Sequence, residues 1–158
     1  YTYFTIGVDN GSSTFDGVIA DRSAAGILRK EGSGTITLAG NNTFTGSVTA
    51  NGGTLYARAE NAANNRNFSF VSGITVNNGA TLRTQANSLF GWDGSQDRPV
   101  TVNAGGTLTA DAGADVGVGT VTLNGGTLAN LGASYGEDRY RVSPLVARRA
   151  ATGGSRGG

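Results

Sequence analysis

The chain has 158 residues, of which 27 are Gly and two are Pro, with no Cys, His or Met and a net charge of +1. That inventory excludes disulfides, thiolate or imidazole metal sites and any triad or nucleophile that needs His or Cys within this chain. The small net charge supplies no strong field for nucleic acid, and abundant glycine without a strict triplet excludes collagen.

Taken in chain order, Tyr1-Thr2-Tyr3-Phe4-Thr5-Ile6 alternates as a strand and lacks the charged n-region of a signal peptide. The chain is therefore expected to be a piece of a longer protein. Residues 1–22 read as strands broken by Asp9-Asn10-Gly11 and Asp16-Gly17. Residues 23–34 are small and glycine-containing, with Ile27-Leu28 as an apolar pair, and residues 34–46 carry a strand–turn–strand unit. A phrase of apolar–Thr–apolar–Asn, a short turn and then Thr-Leu starts at Val48, Ile74, Val100 and Val121. Loops are predicted between the copies at 58–72 (with Phe68 and Phe70), 85–99 (with Phe90 and Trp92) and 110–119. After Leu131 the pattern stops. Residues 132–158 are read as a cap-like segment followed by a Gly/Arg-containing linker or tail, and 1–131 as one solenoid domain. No apolar run approaches the length needed to span a membrane.

The spacing of the copies carries the fold prediction. Each copy turns at an Asn followed by small residues and cannot bury its apolar face alone, so neighbours must stack as windings of a solenoid. Stacking predicts an inner ladder of Val48, Ile74, Val100 and Val121 and a second of Leu55, Leu82, Leu108 and Leu128. It puts Asn51, Asn77, Asn103 and Asn124 at one corner, where amides can hydrogen-bond along the axis. The competing pattern, a set of hairpins with Asn-Gly turns, gives no reason for a near-constant spacing with the same flanks.

A longer ordered pattern lies at residues 13–57. Ser13-Thr14-Phe15-Asp16-Gly17-Val18-Ile19 is followed by Leu28-Arg29-Lys30-Glu31-Gly32-Ser33-Gly34-Thr35-Ile36-Thr37-Leu38-Ala39-Gly40-Asn41-Asn42-Thr43-Phe44-Thr45-Gly46 and then by Val48-Thr49-Ala50-Asn51-Gly52-Gly53-Thr54-Leu55. It resembles the passenger-associated strand repeat of autotransporters, with Phe44 in place of a Tyr and Ala50 in place of the usual Val. The resemblance implies an all-β, right-handed parallel β-helix, expected here to have about five to six coils. It implies export from a Gram-negative-type cell and display at or beyond the outer membrane, as a stalk that assists passenger folding and secretion and carries adhesion. The partners so implied are adjacent β-helix coils and a membrane barrel outside this chain, with a host surface, a glycan or a second copy as possible contacts. The loops at 58–72 and 85–99 and the Arg-containing tail depart from the family pattern.

Carboxylate chemistry survives the composition in principle, through the pairs Asp16/Asp21, Asp93/Asp97 and Asp111/Asp115. Gly-flanked Asp in loops is better read as a turn former. Asp93-Gly94-Ser95-Gln96-Asp97 lacks the later Glu of a calcium loop, so no metal or cofactor is expected. Phe90 and Trp92 are candidate surface contacts, with packing over a seam between coils as the preferred reading. One Gly-Gly-Ser-Arg-Gly-Gly tail is too little for RNA binding. The expectation is a non-catalytic structural segment of an exported surface protein. Its alternatives are a self-associating, filament-forming module and a polysaccharide-acting β-helix enzyme.

Overall fold

The computed structural model describes residues 1–58, 67–85, 98–111, 116–130, 140–142 and 145–148. The strands in chain order are β1 (Thr2–Ile6), β2 (Ser13–Phe15), β3 (Gly26–Lys30), β4 (Thr35–Leu38) and β5 (Val48–Ala50). Then come β6 (Gly53–Ala57), β7 (Ile74–Val76), β8 (Ala80–Thr84), β9 (Val100–Asn103) and β10 (Thr107–Ala110). The last are β11 (Val116–Val118), β12 (Val121–Asn124), β13 (Thr127–Asn130), β14 (Tyr140–Val142) and β15 (Leu145–Arg148). No helix occurs among the described residues.

The strands stack as a parallel β-solenoid. One sheet runs β1-β3-β5-β7-β9-β12-β15 and the facing sheet β2-β4-β6-β8-β10-β13, with β11 and β14 paired beside them. Every pairing between these strands is parallel. From β1 to β10 consecutive strands therefore alternate between the two sheets, and each β-turn-β unit lies on the one before it. Parallel strands cannot be joined by tight hairpins, which excludes the hairpin alternative. β15 falls within 132–158 and extends the first sheet beyond β12.

Alternation along each strand sends one set of side chains inward. In the first sheet the register sets Leu28 over Val48, then Ile74, Val100 and Val121. In the second it sets Ile36 over Leu55, then Leu82, Leu108 and Leu128. Leu55, Leu82, Leu108, Val48, Val100 and Val121 are fully buried, Ile74 nearly so, and Leu128 is partly buried. Full burial of such a side chain is worth about 1.5–3 kcal/mol. The third side is closed by Phe44, Phe68 and Val71, with the two rings edge-to-face at 6.5 Å. About four windings, β3 to β10, have a filled core on both sheets, slightly fewer than the coils expected. The reason is geometric: an end winding has a neighbour on one side only. β1 and β2 are accordingly half-exposed to exposed.

The corner between the two sheets is sharp because the residues after each Asn accept positive φ. Gly53, Gly79, Gly105 and Gly125 have φ of 57°, 75°, 78° and 78°. At Gly53 the demand is double, since a Cβ there would also overlap the Gly34 carbonyl of the winding below.

Candidate functional site

The most ordered polar feature runs up the corner between the sheets. The Nδ2 of Asn77 donates to Asn51 Oδ1 at 2.8 Å, that of Asn103 to Asn77 Oδ1 at 2.7 Å, and that of Asn124 to Asn103 Oδ1 at 3.3 Å. The series ends on a charge, because Asn51 Nδ2 donates to Glu31 Oε1 at 2.6 Å. All donors point the same way along the axis, so each amide is polarised by the next, and the anion sits where the donors face. The outward Thr49, Thr75, Thr101 and Thr122 stand in register two residues before these amides.

Beside the corner lies a residue that composition gave no cause to single out. Lys30 continues the inward alternation of β3 and has no exposed surface. In its column it follows Ile6 and precedes Ala50, whose small side chain leaves room for the long stem. Its Nζ donates to the carbonyls of Glu31 at 2.6 Å, Gly32 at 2.9 Å and Gly52 at 3.0 Å. All three ammonium protons are thereby satisfied by main chain from two windings. Burial pushes its pKa below the ordinary lysine value, and the charge of Glu31 opposes that shift. The signal in the sequence was the strand period: Leu28 in, Arg29 out, Lys30 in.

A second polar cluster spans three windings on the outer face of the second sheet. Tyr56 donates its hydroxyl to Asp111 Oδ2 at 2.7 Å, and Arg83 Nε donates to Asp111 Oδ1 at 2.6 Å. The Arg83 guanidinium also stacks 4.3 Å from the centre of the Tyr56 ring. Burial, then the Asp111 hydrogen bond, pushes the Tyr56 hydroxyl up to about 12. The cluster is mutually satisfied and presents neither a free nucleophile nor a free base.

Two further described carboxylates, Asp9 and Asp21, accept main-chain N–H groups. Asp21 accepts from the Thr45 hydroxyl and from the main-chain N–H of Gly26 and Thr45, which together hold its carboxyl below the usual range. Asp9 accepts from the N–H of Gly11. A buried amide pair, in which Asn42 donates to Asn67 and Asn67 to the Leu38 carbonyl, ties the third side to the core. No cluster of three or more His, Cys, Asp or Glu that could hold a metal ion occurs among the described residues. Phe90, Trp92, Asp93, Asp97 and Asp115 lie outside the described residues, and with them the expected pairs Asp93/Asp97 and Asp111/Asp115. At the end formed by β1 and β2, a 420 Å³ cavity opens onto the core, lined by Phe4, Ile6, Phe15, Ile19, Ile36 and Leu38 among others. Phe15 of this lining is exposed, as are Tyr1, Val8 and Val18 in the same stretch of chain.

Residues 28–57 match the family model described as passenger-associated-transport-repeat. The matched stretch begins within β3 and ends with β6, so it covers two windings, Lys30, Glu31 and the first corner amide. No curated protein and no solved structure matches the chain. The matched repeat and the solenoid together fit an autotransporter passenger-like segment and suggest a structural repeat; that repeat family implies an exported protein, at the cell surface or secreted.

Proposed function

We propose that this chain is a non-catalytic stalk segment of an exported surface protein, on which neighbouring windings of the same passenger assemble during secretion. The observation that supports this most is the coincidence of the matched repeat with two whole windings whose register continues unbroken into the next ones. Each winding presents a ready edge of N–H and C=O groups and a half-filled apolar layer, so an arriving strand pair gains its hydrogen bonds and burial at once. A chain leaving a pore as an extended thread can fold this way without waiting for distant contacts. In the intact protein the growing stack would lie between further coils and a membrane barrel, and the exposed faces would meet host surface or glycan.

The test is surface display of the full-length protein carrying Leu82→Asp and Leu108→Asp. The expected result is loss of protease-resistant passenger at the cell surface, with the barrel still inserted. Equal display of a protease-resistant passenger by the double variant would overturn the proposal.

One observation favours a second reading, end-to-end self-association. Among the described residues, β1 and β2 are edge strands of the two sheets, beside a largely apolar cavity. Light scattering over a concentration series would show growth into rods if this end joins another copy; a constant mass removes that reading.

A further inference from the structure

Four Asn-Gly pairs occur in the chain, at 10–11, 51–52, 78–79 and 124–125. We infer that Asn78-Gly79 is a site of spontaneous conversion to aspartate and isoaspartate, and that hydrogen bonds to the other three asparagine side chains protect them. In this reaction the main-chain nitrogen of the glycine loses its proton to solvent base and attacks the asparagine Cγ. Ammonia leaves and a five-membered imide closes. Water then adds to either imide carbonyl, giving aspartate or isoaspartate.

The step requires a side chain free to turn onto the following nitrogen and space for the ring. Asn51 is held at both ends of its amide, by Glu31 and by Asn77. Asn124 donates to Asn103, and Asn10 accepts the N–H of Ser33 at 2.9 Å. Asn78 is exposed and makes no side-chain hydrogen bond among the described residues; its Oδ1 rests over Gly105, where a Cβ would come within 2.1 Å of it, a contact without a donor. Gly79 is exposed too, has φ of 75°, and a Cβ there would meet nothing within 4 Å. At Gly52 the same atom would lie 3.0 Å from the Gly32 carbonyl. The one restraint on the nucleophile is a hydrogen bond from Gly79 N–H to the Gly105 carbonyl at 3.1 Å, on an exposed corner. Isoaspartate at 78 would lengthen the main chain inside the turn joining β7 to β8, where Ala80 N–H donates to the Asn77 carbonyl at 3.0 Å.

The experiment is incubation of the full chain in mildly alkaline buffer at 37 °C, with peptide mapping by mass spectrometry that separates aspartate from isoaspartate. Asn78 should convert first in the folded protein, and in urea the four pairs should convert at similar rates. Asn77→Ala removes the donor to Asn51 Oδ1 and should speed conversion at Asn51 by about fivefold, the factor carried by one net hydrogen bond. Conversion at Asn10, Asn51 or Asn124 as fast as at Asn78 in the folded chain would overturn the assignment. An unchanged Asn51 rate in a folded Asn77→Ala variant would overturn the protective role of the ladder.

Discussion

At the residue scale, the informative cases are an inward lysine, Lys30, and an outward tyrosine, Tyr56. Lys30 occupies an inward position and serves as a three-way clamp on main-chain carbonyls. Lys30→Met keeps the apolar stem but leaves those carbonyls without a donor, and a buried acceptor left unpaired costs about 1–3 kcal/mol. The variant should lose at least about 2 kcal/mol of stability, read as a fall in the urea midpoint at unchanged slope. Tyr56 offers a pH test. Its hydroxyl is raised from 10.0 to about 12 in the fold, so the fold favours the neutral phenol. The hydroxyl's contribution is therefore whole below pH 10 and is lost as pH rises through about 12. Tyr56→Phe should cost about 1 kcal/mol at neutral pH. The gap between parent and variant should then shrink above pH 10 in melts across an alkaline series. A gap that stays constant to pH 12 would show that burial and the Asp111 hydrogen bond do not favour the protonated form.

At the element scale, position in the stack decides what an identical residue is worth. Leu82 and Leu128 occupy the same register column, yet Leu82 has a neighbouring winding on each side and is fully buried, while Leu128 is only partly buried. Leu82→Ala should cost about 2–5 kcal/mol, the range for a core leucine whose surroundings relax only in part. Leu128→Ala should cost clearly less, and equal losses in thermal melts would mean that the end winding is closed as tightly as the middle. The spacing of 26 residues was enough to superpose Asn51, Asn77 and Asn103, because an insertion on the third side changes loop length without changing strand phase. The role of Glu31 as terminal acceptor was not legible, since it precedes the first clear copy and lies 20 residues from Asn51.

At the scale of the whole molecule, a stack with contacts mainly between neighbours should not open all at once. Hydrogen exchange should be fastest at β1 and β2, whose outer edges are unpaired, and slowest through β5 to β10. Protection at β1 equal to that at β7 would indicate a single cooperative unit instead. The same asymmetry underlies the proposed role, because an end that frays is also an end that can accept another strand pair.

The sequence by itself determined the all-β class, the stacked windings and the phase of each strand. Those follow from a local period of two and a repeat of near-constant length, and both are visible along one chain. Only the tertiary structure decided that Lys30 is buried among carbonyls and that Glu31 terminates the amide series. It alone also showed that Tyr56, Arg83 and Asp111 form one cluster across three windings. Each of these depends on which residues of different windings come to lie side by side, and on how many windings cover them. A local pattern gives the direction a side chain takes from its own strand; the partners it meets are set by the register of the strands above and below.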